Sequence, residues 1–194
     1  MDAKIQKAKG ALRRKIRAAL EKIPLEKRKL DSQKLCAKLK EQSFFRSATS
    51  VLFFAPLPDE LDLRPALEET LATGKVVALP CFDAENQLYT PRRVSNLHAE
   101  LVLGRFGIRE PAASCTEMPL ADLDLVLVPG DAFDLRGHRL GRGKGFYDRW
   151  LADFTGKKIG VAFDEQLVNA IPTEKRDVRM DFILTPTRCV KYEM

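Results

Sequence analysis

Five of the chain's eleven glycines fall between Gly130 and Gly145, in the stretch that runs from Pro129 to Asp148. Arg139, Arg142 and Lys144 are interleaved with the last three of them, Gly141, Gly143 and Gly145. Glycines let backbone N–H groups approach an anion closely, and guanidinium and ammonium groups neutralise it, so this composition points to phosphate binding. A plain surface loop needs glycines for its turns but has no use for three interleaved cations. Neither common phosphate fingerprint fits. A Walker loop needs glycine five residues before Gly143, where His138 stands, and Ser or Thr after Lys144, where Gly145 stands. The spacing of Gly141, Gly143 and Gly145 is GxGxG, not the GxGxxG of dinucleotide sites. A nucleotide bound here is held by a loop of another kind.

A loop of this kind needs a strand to present it, and Leu123 to Val128 supplies an apolar run that ends just before Gly130. Val51 to Ala55, Val76 to Leu79, Ile159 to Phe163 and Phe182 to Leu184 have the same short, apolar character, which fits strands covered on both faces. Between the first two, Leu63, Leu67 and Leu71 recur every four residues behind Pro65, a first-turn residue, and Gly74 closes the helix. That is a βαβ unit. Phe146, Trp150 and Phe154 are spaced for one helix face between the strands at 123 and 159. The predicted class is therefore α/β, a single domain with a largely parallel sheet and helices on both faces. In such sheets ligands bind beyond the carboxyl ends of the strands. Residues Gln87 to Arg92 read as an extra strand, and Ser95 to Pro119 as irregular.

The formal net charge is +6. Residues 1–40 hold 14 Lys/Arg against 4 Asp/Glu, and the remaining 154 hold 19 against 23, so the whole excess is N-terminal. Leu12, Ile16, Ala19 and Ile23 place an apolar stripe on a predicted helix from about residue 4 to 22, which should pack on the domain. Pro24 interrupts, and a second helix, carried by Leu30, Leu35 and Leu39, runs to about Gln42. The chain thus divides into N-terminal helices over 1–42 and an α/β core over 48–194. Residues 1–40 contain no aromatic residue to stack on bases, which argues against nucleic acid as the partner. Cys36, Cys81, Cys115 and Cys189 lie far apart, with only His98 and His138 to help them, so zinc and disulfides are not expected and the cysteines read as core residues. His138 reads as solvent-facing. No apolar run suits a membrane span or a secretory signal, and a cytoplasmic address and a monomer are the default expectations.

The block from Pro129 to Asp148 resembles the hallmark of the 5-formyltetrahydrofolate cyclo-ligase family, PG-x-x-FD-x-x-G-x-RLGRG-x-GYYD, with Phe146 in place of the first tyrosine. Two further features agree in order: the K-x-x-x-R of Lys9 and Arg13, and Gly160 to Gln166 followed by Pro172 and Asp177. The resemblance implies an enzyme that uses ATP and magnesium to convert 5-formyltetrahydrofolate to 5,10-methenyltetrahydrofolate, releasing ADP and phosphate. It implies an ATP site formed by Lys9, Arg13 and the run Arg139, Leu140, Gly141, Arg142, Gly143, Lys144, Gly145, Phe146 and Tyr147. Arg142 and Lys144 are implied to act on the reacting groups. Ala55, Glu60 and Arg142 to Phe146 are implied to bind the folate, and Asp148 and Asp177 the magnesium. On residue type alone Asp148 equally suits a helix start and Asp177 a surface loop. Two other readings of the chain are a basic nucleic-acid-binding module and an α/β enzyme acting on sugar phosphates or coenzyme A.

Overall fold

The computed structural model describes residues 3–85, 88–104, 107–174 and 177–192. Helix α1 (Ala3–Leu20) and helix α2 (Leu25–Glu41) are separated by extended Pro24, and a short α3 (Ser43–Ser47) leads into strand β1 (Ser50–Leu52). Helix α4 (Arg64–Ala72) carries Pro65 in its first turn and ends at Gly74, whose φ of +80° suits a residue without Cβ. Then come β2 (Val76–Asp83), β3 (Leu88–Val94), β4 (Leu101–Leu103), β5 (Arg109–Pro111) and β6 (Leu125–Pro129). The remainder is β7 (Ala132–Asp134), β8 (Arg139–Leu140), α5 (Phe146–Leu151), β9 (Lys157–Val161), β10 (Leu167–Val168), β11 (Phe182–Leu184) and β12 (Cys189–Lys191).

Seven strands form the main sheet in the order β12-β11-β9-β6-β1-β2-β3. The four central pairings are parallel and the two edge pairings, β12 with β11 and β2 with β3, are antiparallel. Side chains alternate between two cores, as the pleat requires. Val51, Val77, Leu79, Leu125 and Leu127 face one core with Ile16 and Leu20 of α1, Leu35 and Leu39 of α2, and Leu67 of α4. Leu52, Ala78, Val126 and Val128 face the other with Leu151 of α5 and Phe154. Helices thus cover both faces, and both N-terminal helices pack on the domain.

The order of strands decides where a ligand can sit. From β1 the chain moves outward through β2 and β3, then returns to place β6 on the other side of β1. Loops leaving β1 and β6 therefore diverge at their carboxyl ends and leave a crevice between them.

Several expectations need correction. Phe154 lies beyond the end of α5, so only the first two of its three predicted aromatics are helical. The stretch predicted as irregular contains the antiparallel pair β4–β5, and the extra strand runs over Leu88–Val94, with Gln87 outside the described residues. The glycine-rich stretch is no plain loop, because β7 and β8 pair within it and β10 joins β7. Of the cysteines, Cys36 and Cys115 are buried but Cys81 is half-buried and Cys189 exposed at the sheet edge. His138 is not simply solvent-facing: its Nδ1 lies 3.0 Å from buried Asp134 Oδ2.

Candidate active site

The crevice at the β1/β6 switch point is a cavity of about 350 Å³. The loop after β1 contributes Phe54, Ala55, Leu57 and Glu60 to its wall. The stretch after β6 contributes Gly130, Arg139, Gly141 and the run from Lys144 to Tyr147, together with Arg142. Pro80 of β2, Tyr89 of β3, and Ile108 and Glu110 from the β4–β5 pair close the remaining side.

Glu60 is the best-held group of the first loop. Its side chain is 10% exposed. Its Oε2 accepts the Leu57 backbone N–H at 2.9 Å, and its Oε1 accepts from Arg142 Nη2 at 3.0 Å. Burial nevertheless dominates and raises its pKa above the usual glutamate value, against the pull of the Leu57 N–H and Arg142. Arg142 also meets Asp59 at 2.8 Å. Burial opposes its charge, but the Asp59 and Glu60 carboxylates outweigh burial and raise its pKa. One arginine thus clasps the two loops together across the cavity.

The glycine-rich stretch is shaped around its cations. Arg139 is 6% exposed; its Nη2 pairs with Asp148 at 3.0 Å and its Nη1 donates to the Pro129 carbonyl at 3.2 Å. A Cβ at Gly141 would lie 2.8 Å from Arg139 Nη1, so a larger residue there would displace that guanidinium. Gly143 has φ of +99°, the left-handed region that favours glycine. Arg139 Nε is buried without a hydrogen-bond partner. Phe146 packs edge-on against Tyr89 and Phe82, with ring centroids 5.3 and 6.0 Å apart. Tyr147, whose phenol burial pushes strongly upward in pKa, lies under Arg139 and against Trp150.

Helix α1 braces this stretch from behind. Arg13 Nε donates to the Gly141 carbonyl at 2.8 Å, and Arg17 Nη2 pairs with Asp131 Oδ2 at 2.8 Å. Lys9, 6% exposed, pairs with Asp177 Oδ2 at 2.5 Å, and the same oxygen accepts the Glu174 N–H at 2.8 Å. Gln166, from the C-terminal segment that the resemblance singled out, donates through Nε2 to the Gly130 carbonyl at 2.7 Å and so fixes the turn after β6.

Of the residues expected at a site, Ala55, Glu60, Arg139, Gly141, Arg142, Lys144, Gly145, Phe146 and Tyr147 line this one cavity. Lys9, Arg13, Gly143, Asp148 and Asp177 stand outside its wall, and Leu140 is a core side chain at 1% exposure. Phe54, Leu57, Tyr89, Ile108 and Glu110 went unforeseen, because no motif marks them. Only the position of Leu57 near Glu60 could have signalled it. Among the described residues no cluster of three His, Cys, Asp or Glu side chains forms a metal cage. Asp148 and Asp177 offer hard oxygen donors, but each already pairs with a cation. That donor set fits magnesium only in its usual form, where one or two carboxylates share the ion with phosphate oxygens and water.

Comparison with known proteins agrees with this geometry. The profile of the 5-formyltetrahydrofolate cyclo-ligase family matches residues 5–186. The 5-formyltetrahydrofolate cyclo-ligase of Escherichia coli K12 is 38% identical over 150 residues, covering 73% of this chain and 80% of that protein. The mouse (Mus musculus) cyclo-ligase is 26% identical over 199 residues, covering 93% and 94%. The NMR structure of Aquifex aeolicus 5,10-methenyltetrahydrofolate synthetase superposes with a TM-score of 0.85 at 34% identity, over 94% of this chain and 92% of that one. A synthetase from Mycoplasma pneumoniae shares the fold, with a TM-score of 0.74 at 20% identity over 96% and 99%. With a motif-bearing stretch that forms one wall of the switch-point cavity, and with this breadth of similarity, the chain belongs to the 5-formyltetrahydrofolate cyclo-ligase family.

Proposed function

We propose that this protein converts 5-formyltetrahydrofolate to 5,10-methenyltetrahydrofolate with cleavage of ATP to ADP and phosphate. The observation that carries the reading is one cavity at the switch point, lined both by the cation-bearing stretch and by a buried carboxylate, Glu60. An N-formyl oxygen is a poor leaving group. Transfer of the γ-phosphoryl group to it makes a good one; folate N10 then attacks the formyl carbon, the C–O bond breaks with phosphate departing, and the N10 proton is released. Phosphoryl transfer asks the protein mainly for positioning and charge neutralisation. Arg139, Lys144, Arg142 and the backbone from Leu140 to Tyr147 would supply both, while Lys9 and Arg13, which the resemblance assigns to the ATP, stand behind the cavity wall on α1, bonded to Asp177 and the Gly141 carbonyl. Asp148 and Asp177 would hold magnesium, which when bound neutralises phosphate charge. Glu60 takes the pterin, whose adjacent N–H groups match a carboxylate, and Ala55 and Phe146 shape that end of the cavity.

The reading is of a monomeric cytoplasmic enzyme acting on a small molecule. It displaces nucleic-acid binding because part of the N-terminal basic excess is taken up by Asp131 and Asp177 inside the fold. No described helix is long and apolar enough to cross a membrane. The test is ADP release with and without 5-formyltetrahydrofolate, read together with the near-ultraviolet absorption of the methenyl product. ADP release that depends on the formylated folate supports the proposal. ADP release without it, or turnover of a sugar phosphate or coenzyme A ester in its place, overturns it.

A further inference from the structure

The cavity holds a second carboxylate that the proposed chemistry leaves unused. Glu110, on β5, is 6% exposed and lines the same cavity as Glu60. Its Oε2 accepts the Phe82 backbone N–H at 3.0 Å, whereas its Oε1 is buried with no hydrogen-bond partner. Gly104 packs closely on the group: a Cβ there would fall 2.5 Å from Glu110 Cδ and 2.8 Å from Oε1. Leaving a buried acceptor unsatisfied costs free energy, and such atoms are rare in native interiors. Oε1 is shut off from water beside Gly104, so a ligand N–H reaches it once the carboxylate turns toward the cavity that Glu110 lines.

The neighbourhood indicates what it would accept from. The rings of Phe82, Tyr89 and Phe146 meet edge-on beside it, a setting for a flat ring. A carboxylate repels phosphate, so Glu110 suits an uncharged ring with N–H groups. We infer that Glu110 is a second substrate-binding carboxylate of the cavity, accepting through Oε1 a hydrogen bond from an N–H of the reduced pterin. The inference rests on the folate reading proposed above.

Glu110→Gln preserves size and an acceptor for the Phe82 N–H but replaces the other oxygen with a donor. The expected result is a rise in KM for 5-formyltetrahydrofolate on the order of 10- to 100-fold, the scale of a lost buried hydrogen bond to a charged group. KM for ATP should change by less than about twofold, as befits a residue that does not touch the nucleotide. The thermal midpoint should stay level or rise, because a buried carboxylate is replaced by a neutral amide of the same size. Glu110→Ala should weaken folate in the same way, and calorimetric titration of each variant with 5-formyltetrahydrofolate alone should rank them alike without turnover. Unchanged folate KM and Kd with a lowered midpoint would make Glu110 structural and overturn the inference. A rise in KM for ATP instead of folate would overturn it in favour of an adenine contact. Failure of the unaltered protein to bind or turn over the folate would overturn the functional reading itself and the inference with it.

Discussion

Lys9 and Lys144 lie in the two most cationic regions of the chain, and the fold employs them in opposite ways. Lys9, on α1, is buried against Asp177, and its neighbours along the helix turn inward too, Arg13 to the Gly141 carbonyl and Arg17 to Asp131. Lys144 and Arg142 are exposed on the stretch after β6 and line the cavity. The charges of α1 therefore hold a wall in place, while those of the wall line the cavity itself. A basic run is no more a binding surface than its internal partners allow.

Substitutions that separate the two uses should give the largest effects. Lys144→Ala should leave the unfolding midpoint within experimental scatter while lowering kcat by on the order of 10²- to 10³-fold, as expected for a charge on the transferred phosphoryl group. Normal turnover would remove Lys144 from that role. Lys9→Met should instead strip a buried carboxylate of its partner and cost about 3 kcal/mol of stability, measured by urea unfolding. A stability equal to that of the unaltered protein would show that the Lys9–Asp177 pair does not brace the fold.

Smaller effects sharpen the contrast within the cavity. Asp148→Asn keeps the shape of the carboxylate but loses its charge, so the magnesium concentration for half-maximal activity should rise by about tenfold. An unchanged magnesium titration would leave Asp148 as a partner of Arg139 alone. Burial raises the Glu60 pKa, so its carboxylate takes up a proton at a higher pH than a free glutamate does. If the ionised form binds the pterin, kcat/KM for the folate should fall as pH drops through that raised pKa, and Glu60→Gln should abolish this acid limb. A limb that persists in the variant belongs to another group. Phe146→Tyr, which restores the family's hydroxyl, should change kcat/KM by less than about tenfold, roughly 1.4 kcal/mol, if the ring's packing on Tyr89 and Phe82 is what the position supplies. Trp150 should report ligand binding through Tyr147, whose ring it touches, and not through Phe146 one helical turn away.

What could be read from the sequence follows from where the information lies. Strands such as Leu125–Pro129 are continuous apolar runs, and α4 shows its period, its proline and its glycine within a dozen residues. Local pattern suffices for them. The β4–β5 pair has three-residue strands and leaves Val102 and Leu103 in solvent, so neither period nor polarity marks it. β7 and β8 are only three and two residues long, too short to show a period, and β10 lies more than thirty residues further on. The same limit governs the site. Arg139 to Asp148 and Glu60 stand in readable stretches, but Tyr89 and Glu110 reach the cavity only because β3 and β5 pack near the loop after β1, a long-range contact that leaves no mark on either segment. The isolation of Lys9 from solvent was equally illegible, since its partner is 168 residues away.

That separation bears on the protein's synthesis. Helix α1 precedes along the chain every residue it docks on: Asp131 for Arg17, Gly141 for Arg13 and Asp177 for Lys9. At about 5–20 residues per second on a ribosome, α1 waits roughly 10–30 s for its last partner to be polymerised. Ile16 and Leu20 can meet the sheet sooner, because Val51, Val77 and Leu125 of the same core are polymerised before Asp177. The Lys9–Asp177 pair can therefore form only after the partners of Arg17 and Arg13 have been polymerised, so the glycine-rich stretch gains its brace in steps.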